Sequence, residues 1–109
     1  MCKLVGFCIF MIGTGSMYPE LKAGDLVVIK KYKEYNTNDV VTYTSSKHKH
    51  TITHRIISKE NGIYATKGDA NEAKDIKPVL EANILGKVIY KLKILPLWVL
   101  RLLDQLTGA

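Results

Sequence analysis

The chain has 109 residues, enough for one domain with a modest core and too few for two. Apolar residues make up 47% and charged residues 24%, a balance that excludes a disordered chain. The formal charge of +6 would suit nucleic acid or an anionic membrane, but the lysines are dispersed (Lys30–Lys31–Lys33, Lys47–Lys49, Lys87–Lys91–Lys93) with no interleaved aromatic stripe, so a solvated surface and no nucleic-acid partner are expected.

The run Leu4–Ile12 is apolar but about half the length of a spanning helix. It reads as the remnant of a membrane anchor within an apolar segment 1–12, or as a buried first strand. It carries the chain's two cysteines, Cys2 and Cys8, which form neither a disulfide framework nor a Cys-x-x-Cys metal pattern. "GTGSMYP" follows, poor in both helix and strand propensity, with Ser16 between a glycine and Met17. "LKAGD" is a turn and "LVVIKKY" a strand, then "YNTND" is a polar loop and "VVTYT" a second strand. After the charged turn "SSKHK", "HTITHRIIS" alternates Thr51, Thr53 and Arg55 against Ile52, His54 and Ile56 before "KENG" turns the chain. "IYATK" is a short strand, "GDANEAKD" a carboxylate-rich loop, and "ILGKVIYKLKI" a longer strand bent at Gly86. From Pro96, a good first helical residue, Leu97, Leu100, Leu103 and Leu106 recur at helical spacing. That predicts an amphipathic helix over 96–106, packed on the core or lying at a membrane interface. Short, closely spaced strands imply a mostly β single domain spanning 1–109, of antiparallel strands with a short C-terminal helix.

Three polar loci could carry chemistry: Ser16 in its glycine-rich turn, His54 inside an apolar strand, and Asp69 with Asp75 in one loop. A serine hydroxyl is a weak nucleophile until a base takes its proton, and that base needs a third group to hold its tautomer. Each residue alone has an ordinary structural role: a turn serine, a core histidine, a turn aspartate. His48, His50 and His54 share an even spacing that could gather imidazoles around zinc. Lysines flanking the first two and the lack of a matching cysteine argue against it, so no metal and no cofactor are expected.

Together the loci resemble a specific family. "GTGSMYPELKAGDLVVI" is similar to the nucleophile box of type I signal peptidases, "THRI" to their general-base box, and "TKGDANEAKD" to their Gly-Asp-x-Asn…Asp box. The histidine in "THRI" marks the branch found in the endoplasmic reticulum, in archaea and in sporulation-type (SipW-like) enzymes, where housekeeping bacterial members carry lysine. The boxes span Gly13 to Asp75, and "ILGKVIYKL" resembles the closing strand. The resemblance implies a signal-peptidase or LexA-like β fold and a membrane-associated serine endopeptidase. Such an enzyme acts on the extracytoplasmic or lumenal face, at the lipid surface, and removes signal peptides after small residues in the A-x-A pattern.

Carried onto this sequence, Ser16 would attack the scissile carbonyl and His54 would be the general base. Asp75 would orient the histidine, while Asp69 would support the loop by pairing with Arg55, though either carboxylate could complete the triad. Ser16 N–H and the Thr14 hydroxyl would form the oxyanion hole. Met17 would pack beneath the substrate, and Ile12, Met17 and the "HTITHRI" strand would wall the pocket. Two other functions share these features. A self-cleaving LexA/UmuD-type protease would need a lysine base and an upstream cleavage site, and a basic membrane- or nucleic-acid-binding β domain would use Ser16 and His54 only structurally.

Overall fold

Two-residue and four-residue turns set the register of the sheet. Asn61 and Gly62 take positive φ (52° and 78°), the left-handed pair that a tight hairpin requires, and join Glu60 directly to Ile63. At 36–39 the Asp39 carboxylate accepts the Asn36 N–H at 2.9 Å. At 22–25 Asp25 accepts the Lys22 N–H at 2.9 Å, with Gly24 at φ 96°. In these last two turns an aspartate side chain that accepts the backbone N–H three residues earlier closes the reversal.

The computed structural model describes residues 6–45, 50–93, 101, 102 and 105. Its strands are β1 (Phe7–Met11), β2 (Leu26–Lys30), β3 (Val40–Thr44), β4 (Thr51–Glu60), β5 (Ile63–Lys67), β6 (Val79–Leu80) and β7 (Ile84–Leu92), with a single 3₁₀ turn at Glu81–Asn83 among the described residues. They form one antiparallel sheet in the order β1-β2-β7-β3-β4-β5-β6. The mostly β antiparallel architecture expected from the sequence is therefore present. The amphipathic helix expected over 96–106 falls largely outside the described residues, of which Arg101, Leu102 and Gln105 are helical. Within the apolar N-terminal run, Phe7–Met11 forms the edge strand, and Cys8 on it is disulfide-bonded, a state the cysteine count did not anticipate.

Alternation along the strands builds two apolar clusters, one on each side of the sheet. Val41 and Ile84 join Tyr35, Tyr43, Ile56, Tyr64 and Val79, whereas their neighbours Val40 and Leu85 pack with Ile12, Met17, Leu21, Val27 and Ile29. Strand β7, between β2 and β3, changes register at 85 against β3 and at 89 against β2, irregularities that sharpen the local twist. Gly86 sits at this bend, where an added Cβ would meet the Lys30 backbone oxygen at 2.8 Å and its carbonyl carbon at 2.9 Å. Backbone cannot yield as a flexible side chain can. Gly86→Ala is therefore expected to destabilise the fold by about 1–3 kcal/mol, read as a lower midpoint in urea. An unchanged midpoint would contradict the close strand approach.

Candidate active site

The chain leaves β1 at Ile12, whose N–H donates to Asp25 O (2.8 Å) and whose carbonyl accepts the Gly24 N–H (2.7 Å). That pair closes a loop over 13–24. Met17 and Leu21, 1% and 2% exposed, anchor it in the core, and the Leu21 N–H bonds Met17 O at 2.8 Å. Ser16 sits at the second position of a turn closed from Tyr18 N–H to Gly15 O (3.1 Å), so its side chain projects from the loop, half-buried. His54 lies mid-strand on β4 opposite Val41 and is 8% exposed. Asp75 returns to β5, where its N–H donates to Thr66 O at 2.8 Å.

These three side chains meet. Ser16 Oγ lies 3.1 Å from His54 Nε2, and His54 Nδ1 lies 2.6 Å from Asp75 Oδ2. A carboxylate only accepts hydrogen bonds. Nδ1 must then carry the proton, which leaves the Nε2 lone pair facing the serine hydroxyl. That tautomer is the one able to remove the hydroxyl proton. Two more donors reach the same Asp75 oxygen: Thr66 Oγ1 at 2.6 Å and Tyr43 OH at 3.2 Å. Burial, with the nearby Asp75 charge adding to it, pushes the Tyr43 phenol up to about 12, so it remains a proton donor through the neutral range.

Asp69 goes elsewhere. Arg55 Nε and Nη2 donate to its two oxygens at 2.9 and 2.8 Å, a bidentate pair, and Arg55 Nη1 donates to Asn38 O at 2.8 Å. The Arg55 hydrogen bonds hold the Asp69 carboxyl below the usual carboxylate range, and Asp69 in turn holds the guanidinium above its own. Of the two loop aspartates, the geometry brings Asp75, not Asp69, to the histidine.

A cleft of about 580 Å³ opens over Ser16 and His54, walled by Phe10, Ile12, Ile52 and Thr53, with Thr14 and Asn71 at its polar end. Thr14 Oγ1 lies 3.1 Å from Ser16 Oγ and 3.4 Å from Ser16 N. Ile12 is on the cleft wall. Met17 is not: it is enclosed in the core, where its sulfur accepts the Asp69 N–H at 3.3 Å. Among the described residues no group of His, Cys, Asp or Glu is placed to hold a metal ion, and no helix is long and apolar enough to cross a membrane. His48 lies outside the described residues. Sequence reasoning missed Tyr43 and Thr66. Their signal was a hydroxyl at a core-facing position of an alternating strand, Thr66 sharing its face with buried Tyr64.

Comparison with known proteins agrees with the motifs. The chain is 35% identical over 86 residues, 72% of its length, to Signal peptidase I W of Bacillus subtilis (strain 168). This chain is a relative of signal peptidase I. It spans 45% of the length of that Bacillus protein, and no family model matches it. The similarity agrees with the histidine branch to which "THRI" pointed.

The Arg55–Asp69 pair gives this signal peptidase relative an acid-sensitive brace. Because the folded Asp69 carboxyl titrates below its unfolded value, the pair stabilises the fold above the usual carboxylate range. That contribution is lost as pH falls through this range, about 4, toward the depressed value. Asp69→Asn should lower stability at neutral pH by about 1 kcal/mol, a figure discounted for partial exposure. The gap between parent and variant in thermal melts should close on acidification. A gap that stays constant down to strongly acid pH would contradict the brace.

Proposed function

We propose that the chain is a serine endopeptidase that removes signal peptides from exported proteins after small residues. The observation that carries this is the unbroken path from Ser16 Oγ through His54 to Asp75, with Ser16 and His54 lining an open cleft. Ser16 Oγ attacks the scissile carbonyl while His54 Nε2 takes its proton. The imidazolium, facing Asp75, then gives that proton to the leaving amine, and water deacylates the serine with His54 again as base. Ser16 N–H, at 3.4 Å from Thr14 Oγ1, is only weakly engaged, so it can turn to the developing oxyanion beside the Thr14 hydroxyl.

The cleft walls favour an extended, apolar substrate with small side chains next to the cut. Phe10 comes from the edge strand β1 and Ile12 directly follows it, while Ile52 and Thr53 come from β4, so bulky groups would meet side chains on both sides. The proposed site of action is the extracytoplasmic or lumenal membrane surface. Two cross-strand rows support contact with lipid: Ile9, Val28 and Tyr90 lie in register, as do Met11, Leu26 and Leu92. All six therefore share one face of the sheet, with Ile9, Met11, Tyr90 and Leu92 exposed, and Met11 also borders the cleft. A signal peptide leaving the bilayer beside this face would reach Ser16 without a long detour.

Ser16→Ala and His54→Ala should each reduce cleavage of an A-x-A signal peptide by at least about 10³-fold while circular dichroism shows the parent fold. Turnover in either variant near the parent rate would refute the assignment. Activity should also decline on acidification, because a protonated ring cannot accept the serine proton. A rate that is level from neutral to strongly acid pH would remove His54 as base.

A further inference from the structure

We propose that Thr66 and Tyr43 are positioning residues that act on the Ser16–His54 pair through Asp75. The proposal rests on the catalytic assignment above and adds the side chains that aim it. Thr66, fully buried on β5, grips Asp75 at two points: its carbonyl accepts the Asp75 N–H at 2.8 Å and its hydroxyl donates to Oδ2 at 2.6 Å. The Tyr43 hydroxyl, from β3, donates to that oxygen at 3.2 Å and lies 3.3 Å from Thr66 Oγ1. Since His54 Nδ1 reaches the same atom at 2.6 Å, donors from three neighbouring strands converge on one carboxylate oxygen.

That convergence has a specific consequence. Asp75 is carried by a loop, and its side chain is 24% exposed. A hollow of about 190 Å³, lined by Tyr43, Ile52, Asp75 and Lys77, opens onto it. Without the two hydroxyls the carboxylate is free to rotate toward the hollow, leaving the imidazole without its orienting acceptor. Thr66 and Tyr43 hold the oxygen against His54 instead. Neither side chain lines the cleft, so neither is placed to touch substrate.

Thr66→Val keeps the shape and removes the hydroxyl, Thr66→Ser keeps the hydroxyl, and Tyr43→Phe removes only the phenolic oxygen. Assayed on one A-x-A peptide, Thr66→Val should lower kcat by roughly 10- to 100-fold with KM nearly unchanged, the signature of lost alignment. Thr66→Ser should recover most of that rate, and Tyr43→Phe, whose contact is longer, should lose less than about 10-fold. The proton NMR signal of His54 Nδ1–H should move in Thr66→Val and Tyr43→Phe and stay in place in Thr66→Ser. A folded Thr66→Val with the parent kcat and the parent resonance overturns the proposal. Should that variant not fold, Tyr43→Phe carries the same two measurements, and parent values there overturn it equally. Ser16→Ala run alongside separates the two levels. A silent Thr66→Val beside an inactive Ser16→Ala defeats the positioning role alone, whereas an active Ser16→Ala defeats the catalytic assignment beneath it.

Discussion

The site depends on the docking of two loops that lie far apart in the chain. Ser16 O accepts the Ala70 N–H at 2.8 Å, and the contact is possible because residue 68 has no side chain. A Cβ on Gly68 would stand 2.6 Å from Ser16 O, 2.7 Å from Asn71 Nδ2 and 3.1 Å from His54 Nε2. The serine loop thus rests on the backbone of the carboxylate loop, and the spacing of that contact fixes how far Ser16 Oγ stands from the imidazole. Met17 adds a second tie through its sulfur to the Asp69 N–H.

One strand serves both loops. Successive residues of β4 point to opposite sides of the sheet, so His54 faces the serine while Arg55 faces away and clamps Asp69 with two hydrogen bonds. The third Arg55 bond, to Asn38 O, ties the same group to the turn before β3. A buried polar path is costly unless each group is satisfied. Here every buried side-chain nitrogen or oxygen among the described residues has a partner. Asp75 takes three donors on one oxygen, and the ring nitrogens are engaged at both ends. The apolar clusters on either side of the sheet hold the strands that supply these donors, which gives the serine loop a packed counterpart.

Local sequence carried much of this. β3 and β5 coincide with the segments "VVTYT" and "IYATK", at Val40–Thr44 and Ile63–Lys67. β4 runs on through Lys59 and Glu60 because the Asn61–Gly62 pair makes the whole turn in two residues, while "KENG" reads by composition as a four-residue one. β6 is two residues long and rests on pairing with Ile63 and Tyr64, a non-local contact with no periodic pattern of its own. At the site, the residue types and their order pointed to Ser16, His54 and a carboxylate. The choice between Asp69 and Asp75 needed geometry, since both sit in one polar loop and only the placement of Arg55 separates them. Met17 was misplaced for a related reason: its neighbour Ser16 is half-buried at the cleft, but the turn sends consecutive side chains in opposite directions, one outward and one into the core.

If Ser16 is the group that attacks, a brief incubation with an activated ester of an A-x-A peptide should leave the acyl group on it. Mass spectrometry of the quenched, digested protein reads this directly. The account predicts the acyl mass increment on the fragment containing Ser16, and its absence when His54 is alanine. An unmodified Ser16 during active turnover, or the increment on another residue, would contradict it.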